Sequence, residues 1–242
     1  MSTLPFPFPV GSTDILSRRA EILTALCASD GGFCRTPVAS VRQETLTRML
    51  RLYDELFLAG LLGRKLPVLC VTLSSRLTSS AGKFICVRGP FGRIKESEIR
   101  MSSDFLLRLN DGPFDLNGLS VSTPQEAFLV VFEHELCHAL ETVLFGQTGH
   151  SQRFLSLAHG LFGHTATRHK LPTRRQAAAQ DGLIVGKTVS FSYQGKRLTG
   201  FITYIGKTAT VMVPSPVGEY RDTAGRRYVK YRVPLSKLQI TP

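Results

Sequence analysis

Three residues in the middle of the chain have the types and spacing to do chemistry. His134, Glu135 and His138 stand in the order His-Glu-x-x-His within FEHELCHALETVLFGQTGHSQRF, and a further histidine, His150, follows. Histidines four apart share one face of a helix, so both imidazoles can reach a single metal ion. Glu135, next to the first of them, is placed to hold a water on the metal and take its proton without itself being a ligand. Three histidine ligands, one open position and a carboxylate base make the donor set of a zinc peptidase.

Such a site needs a rigid element beneath it, and the flanking residues supply one. Thr123-Pro124-Gln125-Glu126 reads as a helix start, with Thr123 as N-cap, Pro124 at the first helical position and Glu126 closing a capping box. The helix is expected to run to about Phe145 and stop at Gly146. Ala127 to Phe132 are apolar all round, the pattern of a helix buried at the centre of a domain. Gln147-Thr148-Gly149 then turns the chain, and a second helix over about Ser151 to Phe162 brings His150 back over the first.

From about Thr45 to Thr165 the chain resembles the SprT-like metallopeptidases, a family that includes a DNA-protein crosslink protease. The likeness rests on ordered blocks: Leu52-Tyr53-Asp54-Glu55-Leu56-Phe57, Ala81-Gly82-Lys83-Phe84, Ile99-Arg100-Met101-Ser102 with Leu106-Leu107, the HELCH block, and Gly149-His150-Ser151-Gln152-Arg153-Phe154. The resemblance implies an α+β, zincin-like core with the motif helix packed on a small sheet. It implies one zinc ion on His134, His138 and His150, Glu135 as general base, and an edge strand within Lys83 to Ser102 that aligns an extended substrate. Many relatives carry a ribbon of paired cysteines after the core, and this sequence has none.

The 242 residues suffice for one medium and one small domain. No apolar run approaches the roughly 20 residues that span a bilayer. The start, MSTLPFPFPVGSTD, lacks the basic region of a secretory signal, so an intracellular protein is expected, cytoplasmic or nuclear. The five cysteines, Cys27, Cys34, Cys70, Cys86 and Cys137, are scattered without a CxxC pair and read as free thiols in a reducing compartment. Residues 1–40 form an N-terminal extension, with PFPFP extended, a helix over Thr13 to Ser29 and a break at Gly31-Gly32. Residues 41–165 form the metallopeptidase domain and 166–182 a basic linker.

From 183 to 242 the period changes from helical to two. Strands are expected around 189–193, 198–205, 208–213, 228–233 and 238–240, read together as a small SH3-like β-barrel. Residues 171–242 hold 12 Lys/Arg against 3 Asp/Glu, net +9, and the residues before them 18 against 15, net +3. Basic residues with interleaved aromatics suit phosphate contacts and base stacking, so Arg174, Arg175, Lys196, Arg197, Arg226, Arg227, Lys230 and Arg232 are the candidate nucleic-acid contacts. The plainer reading of the same residues is a solvated charged face.

His159, His164 and His169 are read first as packed or capping residues, and alternatively as groups that approach the metal or polarise a substrate carbonyl. Glu141, one turn beyond His138, is either an outer support of a ligand or an exposed charge. Cys137 points away from both ligands and reads as core, while Ser151 and Arg153 flank the third ligand. The leading expectation is a zinc endopeptidase acting on DNA-bound or DNA-crosslinked proteins. The alternatives are a zinc peptidase whose barrel binds a protein partner, and a non-catalytic nucleic-acid adaptor with structural zinc. Glu135 argues against the adaptor, since a structural site has no use for a base.

Overall fold

The computed structural model describes residues 11–172 and 174–241; the PFPFP stretch read as extended lies outside them. The chain divides between Leu171 and Pro172 into two compact units.

The first unit opens with helix α1 (Ser12–Ser29). Its buried stripe is Ile15, Arg19, Ile22 and Leu26, at helical spacing, while Leu16 faces solvent. After α1, the Asp30 carboxylate accepts from the amides of Gly32, Phe33 and Arg42 and from the Thr45 hydroxyl, which reverses the chain into α2 (Gln43–Leu58). That reversal corrects the expectation of five free thiols. It joins Cys27 to Cys34, with Cα atoms 5.0 Å apart, and leaves Cys70, Cys86 and Cys137 free. The short α3 (Leu61–Lys65) leads to β1 (Leu69–Ser74), β2 (Gly82–Arg88) and β3 (Ile94–Ser102). These form one sheet in the order β1-β3-β2, with β3 parallel to β1 and antiparallel to β2, so β2 is an edge.

One turn of helix, α4 (Ser103–Leu106), and a hairpin of β4 (Phe114–Leu116) and β5 (Leu119–Val121) precede the long helix α5 (Pro124–Phe145). Thr123 and Glu126 form the reciprocal capping box, and Gly146 ends the helix at φ 75°, where a side chain would be strained. Ala127 through Phe132 are fully buried, in one core with Tyr53 and Phe57 of α2 and Ile99 and Met101 of β3. Helix α6 (Gln152–Phe162) packs back on α5 through Phe154, Leu157, Ala158, Leu161 and Phe162. The residues read as a linker take two structures. Thr165 and Ala166 donate to the Asn117 carbonyl and His169 bridges Leu116, so this part belongs to the first unit, whereas Arg174–Gln180 is a helix, α7, in the second.

The second unit carries a six-stranded sheet of β6 (Thr188–Tyr193), β7 (Lys196–Ile205), β8 (Thr208–Pro214), β9 (Tyr220–Arg221), β10 (Arg227–Pro234) and β11 (Gln239–Ile240), in the order β11-β6-β7-β8-β10-β9. Gln194 and Gly195, both at positive φ, make the two-residue turn that pairs Tyr193 with Lys196. Val189, Phe191, Ile202, Val211 and Val233 fill its core, with Ala178 of α7 buried against them. The protein is therefore mixed α+β, with an all-β sheet in its C-terminal unit. No helix among the described residues is long and apolar enough to cross a membrane.

Candidate metal centre

Helix α5 presents His134 and His138 with ring centres 4.9 Å apart, and the turn after Gly146 brings His150 to 5.1 Å from His134 and 4.9 Å from His138. Nε2 of His150 stands 3.1 Å from Nε2 of His134. Phe154, fully buried, packs against all three rings at 4.6 to 5.0 Å. One nitrogen from each histidine lies within 4.8 Å of the others. The fit to a metal is direct, because bonds of about 2.0–2.1 Å in tetrahedral geometry hold ligand nitrogens about 3.3–3.4 Å apart. Burial, then the neighbouring imidazoles, holds His134 down to about 2 and His138 to about 4. Both are neutral at physiological pH, the form that ligates a metal.

Glu141 ties down the turn that carries His150. Its buried carboxylate accepts from the Gly149 amide at 2.9 Å, the Ser151 hydroxyl at 3.1 Å and the Thr148 hydroxyl at 3.3 Å. Nδ1 of His138 lies 2.7 Å from that same Thr148 hydroxyl. A chain from imidazole to hydroxyl to carboxylate leaves Nε2 of His138 for the metal and fixes the ring. This excludes the exposed-charge reading of Glu141, which is buried and supports His138, through Thr148, and the turn that carries His150. Arg153 instead lies over the Phe145 ring at 5.1 Å.

Glu135 is held by the edge strand. Its side chain rests on Gly82, where an added Cβ would come within 2.7 Å of its Cγ and 2.8 Å of Oε1, and the Phe84 amide is hydrogen-bonded to it. Burial outweighs that bond and pushes the carboxyl up to about 7, the range in which a general base works at neutral pH.

Behind the candidate ligands lies a buried ionic cluster whose charged pair, Arg19 and Glu133, was not singled out from the sequence. Glu133 receives Nε and Nη2 of Arg19, each at 2.8 Å, the Tyr53 hydroxyl at 2.7 Å and Nε2 of His164 at 2.9 Å. Burial alone would raise the Glu133 carboxyl, but the Arg19 charge and the hydrogen bonds from His164 and Arg19 outweigh it and hold it at about 2. The cluster anchors α1 to the motif helix one residue before His134. Two signals for it existed: a carboxylate at an apolar helix position, and Arg19 inside the apolar stripe of α1, each needing the other.

The remaining histidines separate cleanly. His159 is exposed on α6, and His164 belongs to the Glu133 cluster, its Nδ1 being 3.3 Å from the Asn117 amide. His169 comes to the metal centre, its ring 4.7 Å from that of His134. Cys137 is fully buried in the core.

The candidate nucleic-acid residues fall in several places. Arg174 and Arg175 open α7, and Lys196 and Arg197 stand at the β6–β7 turn, where Arg197 bonds Ser190 and Gln239. Arg226 is paired with Asp222 at 2.7 Å and Arg227 reaches the Pro216 carbonyl. Lys230 and Arg232, both exposed, share one face of β10, with the Lys230 ammonium 4.6 Å above the Tyr220 ring.

A helix offering two imidazoles and a carboxylate, a third imidazole from the following turn and an edge strand against the carboxylate define a metallopeptidase-type fold. A model of the SprT-like family matches residues 46–175, more than half of the chain. The protein belongs to the SprT-like family, whose members depend on a metal. No curated protein matches the chain.

Proposed function

We propose that this protein is a zinc-dependent endopeptidase of zincin-like architecture, and that its substrates are proteins bound or crosslinked to DNA. The observation that carries the catalytic reading is the convergence of three histidine nitrogens within 4.8 Å of one another beside a base-range carboxylate. Bound zinc supplies a Lewis acid that makes a water nucleophilic near neutral pH and polarises the scissile carbonyl. His134, His138 and His150 hold it, the first two kept neutral by burial. Glu135 takes the proton from the attacking water and delivers it to the leaving amine. Strand β2, an open edge beside Glu135, can pair with an extended substrate and lay its backbone across the site.

The DNA-linked substrate class is supported by the net +9 of residues 171–242, here taken as an SH3-like barrel, and by Lys230 and Arg232 exposed beside Tyr220. Phosphate binding of this kind weakens steeply with salt through counterion release. Such substrates place the protein in the nucleus or nucleoid. The test is cleavage of a DNA-binding protein with and without DNA, by the parent and by Glu135→Gln. Glu135→Gln should keep its zinc and lose cleavage by orders of magnitude. Parental cleavage by that variant overturns the mechanism, and cleavage indifferent to DNA, with no salt-dependent DNA binding, leaves a peptidase whose second unit serves a protein partner.

A further inference from the structure

The site as described has ligands, a base and the metal they would hold, but no side chain that donates to the substrate oxygen as negative charge grows on it. We propose that His169 is that group, its imidazole N–H donating a hydrogen bond to the oxygen of the scissile carbonyl as the peptide carbon becomes tetrahedral. The inference rests on the metallopeptidase reading above and names a further catalytic residue for it.

His169 is fixed by its backbone. It bridges Leu116, while the Asn117 amide donates to the Arg168 carbonyl at 2.9 Å and the Lys170 amide to the Asp115 carbonyl at 3.0 Å. The segment thus lies against β4 on both sides of the histidine, and the ring is carried by a rigid element, as precise placement requires. Both ring nitrogens are buried and neither has a hydrogen-bond partner among the described residues. A buried polar group left unpaired is destabilising, so a ring with two such atoms calls for a reason.

Its neighbours give that reason. A His169 nitrogen lies within 4.8 Å of a ring nitrogen of His134 and of a carboxylate oxygen of Glu135. It therefore stands where the base meets the ligands, the side on which water and carbonyl must come together. Three imidazoles already converge from α5 and the following turn, and a fourth ligand would close the position that the water needs. A donor aimed at the carbonyl oxygen leaves that position open. The other spare histidines do not compete, since His159 faces solvent and His164 is engaged by Glu133.

In the step itself, the water oxygen bonds to the carbonyl carbon and the C=O π pair moves onto the carbonyl oxygen, where the His169 N–H holds it. Glu135 receives the water proton and gives it to the departing nitrogen as the C–N bond breaks. His169 ends with the proton it started with.

The test compares the parent with His169→Leu, which fills the volume but cannot donate, and His169→Gln, whose amide can. Three readouts are used: cleavage of fluorescently labelled casein, zinc affinity by chelator competition, and acetohydroxamate affinity from the visible spectrum of the cobalt-substituted protein. His169→Leu should lower kcat by about 10²–10³-fold with little change in KM, the usual effect of losing one oxyanion donor. It should bind acetohydroxamate more weakly and keep parental zinc affinity, with His169→Gln recovering part of both losses. Weakened zinc binding in His169→Leu would make His169 a fourth ligand and overturn the proposal, as would parental kcat and parental acetohydroxamate affinity. If the zinc-loaded parent cleaves nothing, the peptidase reading fails by itself, and acetohydroxamate affinity still decides whether His169 donates at this centre.

Discussion

Replacing Gly82 by alanine tests whether the edge strand aims the base. The added Cβ would stand 2.7 Å from Cγ, 2.8 Å from Oε1 and 3.0 Å from Cδ of Glu135, against ordinary carbon contacts of about 3.5–4.0 Å. The carboxylate, 4% exposed, must move by about 1 Å, and a misplacement of that size costs on the order of 10²-fold in rate, or roughly 2.7 kcal/mol of barrier. Gly82 does not need a positive φ, so alanine fits the strand backbone, and the overpacking penalty of about 1–3 kcal/mol leaves a folded protein. Nothing about the change touches His134, His138 or His150. The expected result is parental zinc content, a modest shift in thermal midpoint and kcat down about a hundredfold. The assay is steady-state cleavage of labelled casein beside metal analysis of the same sample. A folded, zinc-loaded Gly82→Ala protein with parental kcat would show that contact with β2 does not set the position of Glu135.

Glu141→Gln should weaken zinc binding about 10–100-fold, the usual cost of losing an outer partner of a histidine ligand; parental affinity in a chelator competition would remove Glu141 from the site. Arg19→Met leaves Glu133 charged and buried, so urea unfolding should show a loss of about 3–5 kcal/mol, and a loss below experimental error would refute the cluster's role in anchoring α1. The metal-free protein should be acid-labile. The folded-state values of His134, His138 and Glu133 all lie below their unfolded ones, so their contribution is complete at neutral pH and is lost as pH falls, first below about 6.5 for the histidines and then below about 4.5 for Glu133. A urea midpoint unchanged between pH 7 and pH 4 would contradict this.

What could be seen in the sequence was what local chemistry decides. The capping box at Thr123 and the stop at Gly146 depend on residues three apart and on one glycine, so α5 ends where its sequence says. The shared face of His134 and His138 follows from helix geometry alone. Gly82 was visible only as part of a block, because its reason is a contact with Glu135, 53 positions later in the chain. His169 could be named only as one of three spare histidines for the same cause: its approach to His134 depends on the bridge to Leu116, and basic, proline-containing surroundings read as linker. The Cys27–Cys34 pair escaped because its separation of 7 residues matches no metal or redox spacing, and only the Asp30-capped reversal brings the two together.

The Arg19 cluster carries this furthest, because it joins parts of the chain that the family match separates. The match begins at residue 46, yet a guanidinium from α1 neutralises the carboxylate that precedes His134. Without Arg19 that carboxylate would sit fully buried against Tyr53 and His164 alone. The desolvation of an unmatched charge is costly enough that the motif helix would shift, or Glu133 would take up a proton. Either response acts one residue from His134, a candidate ligand whose nitrogen would have to hold its place to about 0.2 Å. Residues 12–29 therefore bear directly on the candidate metal site, and a protein cut back to the matched segment should bind metal less tightly than the whole chain while keeping all three histidines.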